Sequence, residues 1–267
     1  MKLMVIKLAR YTKIFLMLVK INYLQAMEYR LNFFSTILPT GMYSAGYIVF
    51  IKLVLNKVPS ISGWTFDQML ILFAVEQFFY YSGWIFYRRS IDNFPSLIRN
   101  GTFDMTSKLP INTRFMVSFQ DQSPDVVIPF LASMSLVIYA SRNLSLSLSH
   151  VASFTLFIVL GMFLLYNLLF TIASLSFWTT EADEFVALID EVLAFGKYPL
   201  KIFPSFAGLF LLTIIPAVLM VYVPTSMLMG IFDAKLIILF MVILIISWIL
   251  SEKVWHAGLR HYSSANS

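Results

Sequence analysis

Six long apolar runs, each poor in charge, constrain this chain more than any other feature. They lie near residues 33–55, 66–87, 124–140, 151–178, 206–223 and 234–255. An α-helix rises about 1.5 Å per residue, so about 20 apolar residues cross a hydrocarbon core roughly 30 Å thick. Within the runs the apolar residues are continuous, whereas lipid-facing barrel strands alternate with period two. The fold class that follows is all-α: a polytopic integral membrane protein with six transmembrane helices. Composition agrees. Apolar residues make up 59% of the 267 positions and charged residues 12%, against about 25% charged in an ordinary soluble domain. No polar stretch exceeds about 40 residues, too few for a separate soluble domain. A single membrane domain over residues 1–267 is expected.

Ahead of the first run, residues 1–30 read as an interfacial amphipathic helix. At 100° per residue, Lys2, Lys7, Arg10, Lys13 and Lys20 fall on one arc of about 140°. Leu8, Tyr11, Phe15 and Leu18 lie opposite. Cations toward headgroups and an apolar side in the acyl boundary suit a helix lying at the interface; a soluble surface helix is the alternative. The cations interrupt any apolar core of a cleavable signal peptide. Orientation follows from Lys and Arg. Six (Lys2, Lys7, Arg10, Lys13, Lys20, Arg30) precede run one, and five (Arg88, Arg89, Arg99, Lys108, Arg114) separate runs two and three. Lys197 and Lys201 separate four and five, and Lys253 and Arg260 end run six. Only Lys52, Lys57, Arg142 and Lys235 fall on the other side. Both termini are therefore expected in the cytoplasm, at a plasma or inner membrane. Anionic lipid and cytoplasmic partners account for the net charge of +5 without nucleic acid.

The connection after run two carries the most information. A short helix from about Asp92 to Asn100 is expected, capped by Asp92 or Asn93, with Pro95 in its first turn and Gly101 at the left-handed C′ position. Its apolar residues Phe94, Leu97 and Ile98 suit either a groove on a cytoplasmic protein or the membrane surface. Glu76 and Gln77 fall mid-way along run two. An ionisable side chain at that depth costs at least about 2.5 kcal/mol and faces protein or a cavity. Two readings stand, a polar point in a transport path and a protonated Glu hydrogen-bonded to a neighbouring helix, the second favoured. Asn167 in run four is a weaker case of the same kind. Glu181, Asp183, Glu184, Asp190 and Glu191 alternate with Phe185, Leu188, Ile189 and Val192. That pattern favours an amphipathic interfacial helix with a solvated acidic face over paired carboxylates for acid–base or metal chemistry. Pro39, Pro129 and Pro216 fall inside runs as hinges or tolerated bends, and Gly41 and Ala45 offer a small-residue packing face. The chain has no cysteine. Its three histidines lack metal-site spacing, and no phosphate-binding glycine loop or nucleophile elbow occurs. No catalytic, cofactor or metal site is expected in this chain.

Four patches resemble the ABC-2 type permeases, in the branch of about 260 residues. They are Met27–Phe33; Ile98–Asp104 followed by Leu109-Pro110; Phe177-Trp178 with Tyr198-Pro199, Phe203-Pro204, Ile215-Pro216 and Pro224; and the tail Trp255–Ala265. The second departs from the family pattern by reading Met105-Thr106-Ser107-Lys108 before Leu109-Pro110. The resemblance implies a six-helix permease with an N-terminal interfacial helix. It implies pairing with a second permease chain, identical or homologous, and with cytoplasmic ABC ATPase subunits that bind ATP and Mg. It assigns the ATPase-coupling role to the segment from Asp92 to Pro110, with Asp92, Phe94, Leu97, Arg99, Gly101, Phe103 and Asp104 as its residues. The acidic stretch from Glu181 to Glu191 is a second candidate. An exporter subunit is the function so implied. A stand-alone secondary transporter would show inverted repeats, broken helices and several charges at mid-membrane; here Glu76 stands nearly alone and no repeat is visible. A membrane enzyme would cluster His, Asp or Glu at span ends, and only the acidic stretch comes close. A non-transporting scaffold on the same fold is indistinguishable in sequence from the exporter.

Overall fold

The computed structural model describes the backbone of residues 2–28, 30–213 and 215–262 and the side chains of these except 2–8 and 30–34. Tyr29 and Ser263–Ala265 of the resembling patches, and the side chains of Lys2, Lys7 and Arg30, therefore lie outside the described residues. The described chain is helical, with one isolated bridge between Ile61 and Trp64. The helices are α1 (Lys2–Glu28), α2 (Arg30–Leu55), α3 (Phe66–Gly83), α4 (Arg89–Arg99), α5 (Phe103–Ser107), α6 (Thr113–Phe119), α7 (Val127–Ser141), α8 (Leu148–Ala173), α9 (Ala182–Leu193), α10 (Ser205–Thr213), α11 (Ala217–Leu228) and α12 (Ala234–His261). Among the described residues, five stretches are long and apolar enough to cross a membrane: Ser35–Leu55, Phe66–Arg99, Pro124–Ser141, Leu148–Phe177 and Ala234–His261.

Cross-helix contacts set the directions. Asn143 donates to Asp67 at 3.1 Å, Phe78 meets Phe130 at 5.1 Å, and Ser123 N donates to the Trp84 carbonyl at 3.2 Å. Helices α3 and α7 are therefore antiparallel. Phe157 meets Phe240 and Phe170 meets Trp255, so α8 and α12 run parallel. Most of the Lys and Arg gather at the end of the bundle that holds α4 to α6, referred to below as the basic end. At the opposite end the helices begin on side-chain caps. The Ser147 hydroxyl accepts from His150 N, and Asp233 accepts from Lys235 N and Leu236 N. Gly230, at φ +72°, turns α11 into α12.

The fifth run departs from expectation. In place of one helix over 206–223 there are two short ones, α10 and α11, bent by 83°. Pro216 sits at the bend and caps α11, since a proline ring cannot continue a helix from the preceding turn. At about 1.5 Å per residue, α11 is only about 18 Å long, roughly half a bilayer core. It packs along α8 in the half of the bundle away from the basic end. Trp64 meets Tyr222 there at 5.7 Å, and a Cβ on Gly230 would lie 3.1 Å from His150 Nε2. The other half of that crossing is filled by α9, whose first turn reaches Arg99 and whose far end reaches Glu76. The two halves meet at Gly196, where a Cβ would lie 3.2 Å from the Ala217 carbonyl and 2.6 Å from Val221 Cγ2. Only glycine permits that approach.

Helix α9 is amphipathic as expected, with Glu184 and Glu191 exposed on its acidic face, but its apolar face packs into the bundle and Asp183 and Asp190 are partly buried against arginines. Ala182, Val186, Ile189 and Leu193 form its buried stripe. Helix α1 lies along residues 110–122. Arg10 donates to the Pro110 carbonyl at 3.0 Å, Asn22 donates to the Gln120 carbonyl at 3.0 Å, and Tyr11 stands edge-on to Phe115 at 4.9 Å. Its apolar side covers α6, while Leu16, Met17 and Leu24 stay exposed.

Candidate functional site

Two regions of the fold bring functional side chains together. The first is the basic end. Helix α3 does not stop where run two ends. It passes through one π-helical turn, Trp84–Arg88, directly into α4, giving one helical rod over Phe66–Arg99. At 34 residues the rod is about 51 Å long, well beyond the bilayer core. The expected separate helix with a cap at Asp92 or Asn93 is thereby corrected: Asp92 pairs with Arg88 one turn earlier at 2.8 Å, and Pro95 lies inside the rod. Gly101, at φ +69°, ends it in the expected left-handed conformation.

The expected coupling residues divide into two sets. Phe94 and Phe103 are fully buried. They stack within one aromatic cluster with Phe170, Phe177, Trp255 and Tyr262, ring centres 5.0 to 6.4 Å apart. Leu97 is half-buried and packs on the same core. The apolar face of α4 therefore packs on the bundle itself, Phe94 fully and Leu97 and Ile98 in part. Outward lie Arg99, Asn100, Thr102, Met105 and Lys108, with Gly101 and Asp104 partly exposed among them. The Tyr262 hydroxyl donates to Asp104 at 3.0 Å, holding this rim to the end of α12.

Arginines fasten the rim to the acidic helix. Arg88 is buried. Its Nε pairs with Asp92, its Nη1 with Asp190 at 3.2 Å, and its Nη2 donates to the Val186 carbonyl at 2.8 Å. Arg99 pairs with Asp183 at 3.3 Å and donates to the Thr180 carbonyl. Two of the five carboxylates in the acidic stretch are thus joined to arginines, while Glu181, Glu184 and Glu191 remain exposed. Among the described residues no cluster of His, Asp and Glu has the arrangement of a metal site.

The second region is buried. Glu76 and Gln77 lie inside the bundle, where Glu76 accepts from Gln77 Nε2 at 2.7 Å. Both line a cavity of about 370 Å³ with Tyr43, Tyr80, Tyr81, Asp190 and Glu191. A second, mainly apolar cavity of about 250 Å³ shares Thr40, Gln77 and Tyr81 with the first.

A family model described as ABC-2 family transporter protein matches residues 42–266. The chain belongs to this family. It is accordingly a multi-pass permease component of ABC transporters. In this ABC-2 family protein the match takes in both regions just described and three of the four resembling patches; Met27–Phe33 lies ahead of it. No curated protein is a significant match to the chain.

Sequence reasoning missed three side chains of this ABC-2 protein. Lys197 counted as a loop charge, yet the fold carries it into the bundle. Its Nζ donates to the Tyr43 hydroxyl at 2.6 Å and lies 5.2 to 5.6 Å from the ring centres of Tyr43, Tyr47 and Tyr198. Three tyrosines around one cation offset part of its desolvation. Arg88 showed only as half of an Arg-Arg pair, with nothing to separate it from exposed Arg89. Arg114 lies over the Phe170 ring at 4.4 Å, pairs with Glu252 at 2.6 Å and donates to Ser251 at 2.7 Å. It also reaches Asn167 Oδ1 at 3.4 Å, so the polar residue in run four belongs to a helix-joining network. Glu252 and Ser251 at one-residue spacing near the end of run six were the available signal.

Proposed function

We propose that this permease works in an exporter at the cell membrane, with its basic end in the cytoplasm. A cytoplasmic ATPase subunit binds ATP and Mg there and drives the switch between inward- and outward-facing states. A second permease chain, identical or homologous, completes the membrane part. The observation that carries the reading is the rigid rod Phe66–Arg99, which delivers the rim Arg99–Lys108 to the basic end. A force applied to the rim passes along one continuous helix to Glu76 and the cavities in the bundle. Buried Phe94 and Phe103 fix the rim to α8 and α12, so it moves with the bundle rather than flexing alone. Arg99, Gly101 and Asp104 supply the outward surface; Phe94, Leu97, Phe103 and Asp92 hold it in place.

The test is co-purification of the tagged chain with an ATPase subunit in mild detergent. The chain is expected to bring a stoichiometric ATPase. A surface variant with Arg99, Asn100, Met105 and Lys108 all changed to Ser is expected to lose it while eluting as a folded species. Retention of the ATPase by that variant overturns the coupling assignment. A folded wild-type chain that brings no ATPase in any mild detergent overturns the exporter.

One observation favours a second reading. The broken fifth crossing, with Glu76 and Lys197 at its break, is a feature of secondary transporters. Transport by the purified chain in vesicles without ATP supports that alternative.

A further inference from the structure

The cavity between α2, α3 and α9 combines three features whose joint chemistry fits one class of ligand. Its ionisable lining is acidic: Glu76, Asp190 and Glu191. The nearest cations are not among the lining residues: Arg88 pairs with Asp92 and Asp190, and Lys197 donates to the hydroxyl of the lining residue Tyr43. Tyr43, Tyr80 and Tyr81 line it as well, and aromatic ring faces attract cations. A mainly apolar cavity lined by Ile37, Ile48, Phe73, Ile128 and Leu136 adjoins it, with Thr40, Gln77 and Tyr81 lining both.

Glu76 itself has no evident structural task. Every other buried charge among the described residues joins separate elements: Arg88 joins the rod Phe66–Arg99 to α9, and Lys197 joins the segment after α9 to α2. Glu76 hydrogen-bonds only its own neighbour, Gln77, through Oε2, and its Oε1 has no hydrogen-bond partner among the described residues. Its side chain is more than nine-tenths buried and lines the cavity. A buried carboxylate that ties nothing together is costly unless something else meets it.

We propose that this cavity binds lipophilic organic cations, the charged centre between Glu76 and the rings of Tyr80 and Tyr81 and the apolar body in the adjoining cavity. An anion of the same shape meets acidic walls and is excluded. The role of the cavity as the cargo site rests on the permease reading; the binding itself does not.

The test uses the full chain purified in mild detergent, without ATP or any partner, and measures binding by equilibrium dialysis. The probes are tetraphenylphosphonium and tetraphenylborate, which share a shape and differ in the sign of charge. Saturable binding of tetraphenylphosphonium is expected, with tetraphenylborate neither binding saturably nor competing. Glu76→Gln is expected to weaken binding about tenfold. Should that variant not elute as a folded species, Tyr80→Leu carries the same expectation. Equal binding of both ions, no saturable binding, or unchanged affinity in a folded variant overturns the proposal. Because ATPase co-purification is a separate measurement, either idea fails without the other.

Discussion

Gly258 and Phe177 show how tightly side chains decide this fold. A Cβ at Gly258 would sit 2.1 Å from Phe177 Cδ2 and 2.8 Å from Cγ and Cε2. Phe177 in turn lies against Phe94, Phe103 and Trp255, so it has nowhere to retreat. Close packing makes such insertions destabilising by about 1–3 kcal/mol. Gly258→Ala is therefore expected to lower the melting temperature of the detergent-solubilised chain. Gly41→Ala, with nothing within 4 Å of its new methyl, is expected to leave it unchanged or raise it slightly, since Ala favours helix over Gly by about 1 kcal/mol. Equal melting temperatures for Gly258→Ala and wild type contradict the packing described. Sequence points the other way, since Gly41 stands in an apolar run and Gly258 among His256, Arg260 and His261. Only the position of Phe177 reverses that order.

Helix α9 is held to the rod Phe66–Arg99 by arginines of very different strength. The Arg88 side chain is 3% exposed, whereas Arg99 and Asp183 are 46% and 41% exposed. Breaking a buried pair strands a desolvated charge and costs about 3–5 kcal/mol. An exposed pair is screened by water and contributes about 0–1 kcal/mol. Arg88→Ala is expected to destabilise the chain severely, by about 3 kcal/mol, and to expose α9 to limited proteolysis. Arg99→Ala is expected to stay within about 1 kcal/mol of wild type by thermal unfolding. The opposite ranking would show that α9 is not packed as described. The same comparison marks where α9 departs from the solvated acidic face expected of it: Asp183 and Asp190 are paired, while Glu184 and Glu191 stay exposed. Its charge pattern is amphipathic, and the sequence does not state that the polar face meets Arg88 and Arg99.

The molecule as a whole is a bundle of alternating crossings with Lys and Arg gathered at one end. Because the chain has no cysteine, single thiols report its orientation cleanly. Met105 at the basic end and Phe232 at the opposite end are both 75% exposed. In sealed cells, a membrane-impermeant maleimide is expected to label Phe232→Cys directly and Met105→Cys only after lysis; the reverse pattern inverts the proposed orientation. The sequence by itself determined the solvent of this protein, its helical class, the positions of most crossings and the ABC-2 resemblance. The first three follow from local hydropathy, since a 20-residue apolar run has few alternatives in lipid, and the resemblance rests on four short residue patches. Gly101 at a helix end was legible for the same local reason. The tertiary structure alone decided the rest. It continued α3 into α4, turned Phe94 and Phe103 inward, and drew Lys197 into the bundle. It also assembled the fifth crossing from α9 and α11, which are separated along the chain by α10. Each of these depends on a contact between residues far apart in sequence, and periodicity within one segment carries no information about its distant neighbours.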